Sequence, residues 1–295
     1  MGGSADLGPS TKTYIKEASS FNRENYGGRN FHFGVREHAM GAIVNGMALS
    51  KLRAYGATFF VFSDYVRPAI RLSSLMKQPV VYIFTHDSIG VGEDGPTHQP
   101  VEHLASLRAM PGLDVIRPSD ANELSVLWKY IMGLKDRPVA LVLSRQGMPT
   151  LDRSKYAAAE GALKGAYVLI ESDGTPDVIL IGTGSEVQIC LEAYEQLANE
   201  GINARVVSMP CCSLYQSQDK DYREKVLPRS VKARVVVEAG STFGWHGYTG
   251  RQDDCGIFGL KDFGASAPSD DLYKEYGFTT ERIVQVAKNV IKKNK

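Results

Sequence analysis

The feature that most restricts the fold is a series of strand-length runs with apolar residues at consecutive positions. Residues 58–62 (Thr-Phe-Phe-Val-Phe), 80–85 and 178–181 are of this kind. A strand with apolar side chains on both faces must be covered on both, as in a parallel sheet held between helical layers. Helix signals fall between the runs. Over residues 36–53, Ala39, Ile43, Gly46, Met47 and Ser50 recur at three- and four-residue steps, which predicts a helix packed closely by one face. Ser119 is a good N-cap for a helix over residues 119–132. Residues 31–33 and 138–144 read as further strands. The repeated strand–helix–strand order predicts mostly parallel sheets with helices on both faces.

Between residues 151 and 164 the texture changes to charged residues, alanines and glycines with little apolar period. A second unit then begins. Residues 178–181 read as a strand, Gly182-Thr-Gly-Ser-Glu as a turn and residues 187–199 as a helix closed by Gly201. Residues 204–208 and 234–237 read as strands, and 281–292 as an amphipathic terminal helix. The expected architecture is two three-layer α/β domains in series, residues 1–155 and 156–295, and a length of 295 residues suits two domains. With 43% hydrophobic residues the chain can fill packed cores, which excludes disorder. Lys plus Arg (34) against Asp plus Glu (33) leaves a net charge of +1, too little for a nucleic-acid or polybasic membrane partner. No apolar run approaches the ~20 residues of a membrane span, and no secretory signal pattern is present. Cys190, Cys211, Cys212 and Cys255 fall in no CxxC or metal spacing, so reduced thiols in a cytoplasm are expected.

Four clusters carry candidate chemistry. Gly34-Val-Arg-Glu-His-Ala-Met puts Glu37 where a strand gives way to a helix. Glutamate is common there because a first-turn carboxylate complements the helix dipole. The functional alternative is a carboxyl group aimed at the carboxyl ends of a parallel sheet, where α/β folds bind ligands. Phe59, Phe62 and Tyr65 recur every three residues; they are either core or a platform for a flat heteroaromatic ring. Thr85-His-Asp-Ser-Ile-Gly-Val-Gly-Glu-Asp-Gly-Pro-Thr-His-Gln is the most unusual, with His86, Asp87, Glu93, Asp94 and His98 among glycines and a proline. A structural loop has little use for so many titratable groups, whereas a site that moves protons between oxygens does. The spacing fits no zinc or EF-hand pattern, so no metal ligand is assigned. In Leu143-Ser-Arg-Gln-Gly, Arg145 follows a strand directly, as a surface arginine or a guanidinium fork for a phosphate or carboxylate. The Gly182 turn lacks the third glycine of a dinucleotide fingerprint, where Val187 stands, and no acid ends the next strand. It reads as a tight βαβ turn, with anion binding as a secondary reading.

Taken with Gly2-Gly-Ser-Ala-Asp-Leu, these motifs resemble transketolase, a family of thiamine-diphosphate enzymes, over essentially the whole chain. The resemblance implies a pyrimidine-binding domain followed by a transketolase C-terminal domain. It implies that Glu37 hydrogen-bonds N1′ of the aminopyrimidine and shares a proton there, which a carboxyl group does only where it is largely desolvated. It implies an aromatic pocket of Phe59, Phe62 and Tyr65, with Asp6 in the same cofactor-side loop. It further implies that Ser10 and Arg145 hold the sugar phosphate, that His86 and His98 lie near the reacting carbons, and that Asp94 reads the acceptor's 2-hydroxyl. The expected reaction is transfer of a two-carbon ketol unit from a ketose phosphate to an aldose phosphate.

The departure from the family is a missing GDG motif followed about thirty residues later by Asn, which carries the diphosphate and a Mg2+ or Ca2+ ion in that family. The chain is therefore expected to be half of an enzyme, a split subunit or a fragment, inactive without a partner that supplies that domain. A dimer or heterotetramer is implied. A 2-oxo acid dehydrogenase beta subunit and a deoxyxylulose-phosphate synthase fit the layout, but residues 85–99 favour transketolase over both, and Arg145 favours it over the dehydrogenase. Dihydroxyacetone synthase, a non-catalytic partner retaining the fold, and a nicotinamide oxidoreductase are the other readings.

Overall fold

The computed structural model describes residues 1–249 and 256–294; Cys255 lies outside the described residues. Among the described residues, eleven strands form two sheets. The first contains β1 (Gly2–Ser4), β2 (Asn30–His32), β3 (Tyr55–Phe59), β4 (Val81–Thr85), β5 (Asp114–Ile116) and β6 (Val139–Leu143). Its order is β2-β1-β3-β4-β6-β5, and every pairing is parallel. The second contains β7 (Tyr167–Glu171), β8 (Val178–Gly182), β9 (Ala204–Ser208), β10 (Arg234–Ser241) and β11 (Ile257–Leu260), in the order β11-β10-β8-β9-β7. Only β7 runs antiparallel, against β9. Helices α1 (Gly8–Thr11), α2 (Glu37–Leu49), α3 (Ser63–Leu75), α4 (His103–Arg108) and α5 (Ala121–Gly133) accompany the first sheet. Helices α6 (Glu186–Asn199), α7 (Cys212–Gln216), α8 (Lys220–Val226), α9 (His246–Thr249), α10 (Ser269–Glu275) and α11 (Thr280–Asn294) accompany the second. None of the described helices is long and apolar enough to cross a membrane.

The doubly apolar runs are buried as their composition requires. On β4, Tyr82 and Phe84 pack into a core with Met40 and Val44 of α2 and Val66 of α3. Val81 and Ile83 point the other way, toward Leu127 and Ile131 of α5. That second core does not stop at the first sheet. It runs on through Leu151 and Tyr167 to Val178, Leu180 and Val206, so one apolar cluster joins the two sheets.

Three elements differ from the sequence-based expectation. The run at 58–62 is not a single strand: β3 ends at Phe59, and Phe60–Phe62 form a 3-10 turn that leads straight into α3. Its apolarity persists past the strand because Phe60 is fully buried beneath the turn. The cap of α5 is Asp120, not Ser119: the Glu123 amide donates to Asp120 Oδ1 at 2.8 Å, and the Ser119 amide donates to Glu123 Oε2 at 2.8 Å. The strand expected at 234–237 extends to Ser241. Strand β1 has no β-branched residue, and its glycines explain why: a Cβ on Gly3 would lie 1.7 Å from the Phe31 carbonyl oxygen.

Candidate active site

Because the first sheet is wholly parallel, its strands all end along one edge, and most of the candidate residues lie there. Register brings them together. Phe59 pairs with Thr85 and Thr85 with Leu143, so the ends of β3, β4 and β6 are level. His86 is the next residue after β4, and Arg145 lies two residues past β6.

Glu37 is the first residue of α2, whose N-cap, Arg36, makes no side-chain capping bond. Its side chain is buried, 7% exposed, and the Thr58 hydroxyl donates to Glu37 Oε1 at 3.5 Å. The residue after Thr58, Phe59, begins a ladder of rings. Phe59 lies almost flat on the His86 imidazole, with centroids 3.7 Å apart and planes inclined by 24°. Phe62 is nearly parallel to Phe59 at 6.1 Å, and Tyr65 follows at 6.0 Å. The His98 imidazole meets Phe62 edge-on at 5.6 Å. Burial falls outward along the ladder, from Phe59 at 8% exposed to Tyr65 at 64%.

His86 has a left-handed backbone, with φ of +64°. For a residue with a side chain this costs about 1–2 kcal/mol, which the surroundings must offset. Its Nδ1 lies 2.9 Å from the Thr85 hydroxyl. Burial, helped by the Arg145 charge, pushes the imidazole below its usual range, while Asp94 and Asp87 pull the other way. Arg145 and Asp94 are thus close enough to act on His86 electrostatically. His98 Nδ1 lies 2.9 Å from the Thr97 hydroxyl. Gln99 closes the loop by donating to the carbonyls of Gly92 and Ala265, both at 2.9 Å.

Asp6 and Ser10 stand apart. Both are exposed, on the loop and helix α1 that follow β1, and among the described residues no hydrogen bond or ion pair joins either to the aromatic ladder. Asp6 lines a separate cleft of about 330 Å³ with Ser4, Tyr14 and His32.

Two groupings carried no sequence signal. Asp64, Glu102 and His103, at the starts of α3 and α4, are the one set of three potential metal donors within 4.8 Å of one another among the described residues. His103 Nε2 is 3.3 Å from Asp64 Oδ2. The other is a buried network around Arg117. It fills the Gly182 turn with a guanidinium, which removes the anion-binding reading of that turn: Arg117 Nη1 donates to the Thr183 carbonyl at 2.9 Å and to the Thr183 hydroxyl at 2.8 Å.

The donor set at the sheet edge fits a flat nitrogen heterocycle: a desolvated carboxyl group, stacked aromatic faces and two imidazoles. It lacks the cage of six or so oxygens that a diphosphate-bound cation takes. The sequence matches the family "Transketolase, pyrimidine binding domain" over residues 1–150 and "Transketolase-like TK C-terminal domain" over residues 165–279. It is 55% identical over 292 residues to the transketolase of Halalkalibacterium halodurans, covering 99% of this chain and 44% of that one. The fold superposes on the transketolase of Leishmania mexicana with a TM-score of 0.94 at 42% identity, over 99% of this chain and 42% of that one. A structure described as a split-gene transketolase, inactive beta4 tetramer, shares the fold over 99% of this chain and 92% of its own length (TM-score 0.76, 24% identity). Fold and sequence together define a thiamine-diphosphate-dependent class of protein. Within it, the chain belongs to the transketolase family, as a C-terminal half that spans less than half the length of its full-length relatives.

Proposed function

We propose that this chain is the pyrimidine-binding half of a working transketolase, divided into domains at residues 155 and 156. In this reading it transfers a two-carbon ketol unit between sugar phosphates only when a second polypeptide supplies the diphosphate and metal site. The observation that carries the reading is Glu37, buried and hydrogen-bonded to Thr58, the residue that precedes the Phe59–Phe62–Tyr65 ladder. Thiamine diphosphate, when bound, supplies the nucleophilic carbon and electron sink for carbon–carbon cleavage. Glu37 Oε shares a proton with a ring nitrogen, and the three aromatic residues exclude water from one side of that ring. His86 and His98 move protons at sugar oxygens, and burial suits His86 to accept one, since it favours the neutral imidazole. Asp94 accepts a hydrogen bond from a sugar hydroxyl, Arg145 and Ser10 take the phosphate, and Asp6 belongs to the cofactor-side loop.

The need for a partner is supported by the 44% coverage of the H. halodurans relative and by apolar surface left uncovered. Val35, Tyr65 and Leu75 are each more than 60% exposed. A groove of about 690 Å³ also lies open on the first sheet, lined by Tyr55, Ile83, Trp128 and Leu141. Exposed patches of this kind mark interaction sites. Pairing into a dimer or heterotetramer would cover them, and a reducing cytoplasm suits the three buried free thiols. The test mixes the purified chain with thiamine diphosphate, Mg2+, a ketose phosphate and an aldose phosphate, with and without the N-terminal half of the H. halodurans enzyme. Turnover is expected only in the mixture. Turnover by the chain alone would refute the need for a partner, and a stable but inert complex would refute the catalytic reading.

A further inference from the structure

We propose that Arg117 and Glu186 are positioning residues for His86, and that the second sheet unit thereby sets the geometry of a site to which it contributes none of the candidate residues. The inference rests on the reading of His86 as a proton-transfer residue.

The left-handed backbone of His86 has to be held from both sides. On one side β4 fixes Thr85. On the other the anchor is Asp87, 2% exposed, whose Oδ2 accepts from Arg117 Nε at 2.8 Å. Arg117 is itself 1% exposed and, apart from that bond, every hydrogen bond of its side chain goes to the second unit. It donates to the carbonyl and hydroxyl of Thr183, to Glu186 Oε2 and, at 3.4 Å, to the Ser185 hydroxyl. Its backbone amide donates to the Pro210 carbonyl at 2.9 Å, and its carbonyl accepts from the Gly184 amide at 3.2 Å. The turn is shaped around this guest: Gly184 has φ of +52°, and a Cβ there would lie 2.6 Å from Arg117 Cζ.

Glu186 is fully buried and held in turn, accepting from the Ser185 hydroxyl at 2.8 Å and from the Tyr273 hydroxyl at 3.1 Å. The Tyr273 oxygen also lies 3.2 Å from the Ser88 hydroxyl and accepts from Gln146 Nε2 at 3.2 Å. Ser88 and Gln146 are near neighbours in sequence of His86 and Arg145. The Gly182 turn and α10 thus grip the loops that carry both residues. A buried charge bridge gives little net stability over apolar packing, yet it fixes geometry sharply because a misplaced partner is costly. A shift of about 1 Å at a reacting group can lower a rate on the order of a hundredfold.

The experiment uses the full chain carrying Glu186→Gln, which keeps the side-chain volume and removes the charge. The His86 ring-proton resonance, assigned by its loss in His86→Gln, reports stacking on Phe59 through the ring current. In Glu186→Gln it should move toward the unstacked position. In the complex with the H. halodurans N-terminal half, kcat should fall about tenfold or more with KM for the sugar phosphates changed far less. Asp87→Asn, which keeps an acceptor for Arg117, should retain more activity than Asp87→Ala. A lowered melting temperature with the His86 signal and kcat unchanged would overturn the proposal, leaving the network as structural support only. If Glu186→Gln fails to fold, Thr183→Val decides by the same signal, where no movement overturns the proposal. An inert wild-type complex would instead refute the catalytic reading, and the resonance measurement would still judge the positioning.

Discussion

Replacing Glu37 by Gln separates chemistry from folding. The cost to the fold is bounded by what the carboxylate does in it. It accepts one long hydrogen bond, from Thr58 at 3.5 Å, and the amide oxygen of Gln can accept the same bond. It also places a negative charge in the first turn of α2, worth about 0.3–1 kcal/mol. The expected destabilisation is therefore about 1 kcal/mol at most, which for a chain of this size shifts Tm by no more than about 4 °C. Loss of proton transfer at that position costs about 10²–10⁴ in rate, or roughly 3–5 kcal/mol of barrier. The assay is turnover of the reconstituted complex under saturating thiamine diphosphate, alongside thermal melts of the chain. A variant within about 4 °C of wild type and at least about a hundredfold slower meets the expectation. Near-normal turnover by Glu37→Gln would refute the reasoning, since an amide has no carboxyl proton to exchange.

Arg145→Ala should raise KM for phosphorylated sugars with a smaller effect on kcat, because charge recognition is present in ground and transition states alike; an unchanged KM would remove the phosphate assignment. The depressed His86 imidazole carries a stability signature. Below its ordinary value of 6.5 the unfolded chain binds a proton that the folded chain resists, so the His86 contribution is intact above that pH and is lost as the pH falls below it. Urea midpoints measured across this window should show a flatter pH slope in His86→Gln, and an identical slope would contradict it. Burial raises the thiols of Cys190, Cys211 and Cys212, that of Cys211 to about 12, so none should be alkylated in the native chain at pH 8. Peptide mapping before and after unfolding checks this.

What could be read from the residues divides along physical lines. β4, β6, β8 and β9 were legible because their side chains are buried on both faces, which leaves an unbroken apolar run. β1 was not, since the close approach of neighbouring strands demands glycines there and erases the usual strand composition. The end of β3 was misjudged because the turn after it is as apolar as the strand. At the site, Glu37, Phe59, Phe62, Tyr65, His86 and His98 could be singled out as candidates because each sits in a short local motif near a strand end, and five of them, all but Glu37, form one array of rings. Asp6 and Ser10 were named from the same kind of motif, yet they lie outside the ladder. Arg117 and Glu186 were invisible, since their meaning arises only when residues 69 apart in sequence meet between two sheets. The turn around Gly184 was legible as the tight link between β8 and α6, but that it receives the Arg117 guanidinium was not, because glycines show an opened backbone and not the group that enters it.

The apolar cluster that passes from Ile83 and Leu141 into Val178 and Leu180 ties the undoing of one sheet to that of the other. Heating should therefore produce one endotherm whose calorimetric and van't Hoff enthalpies agree, and a protease should find no stage at which one sheet survives the loss of the other.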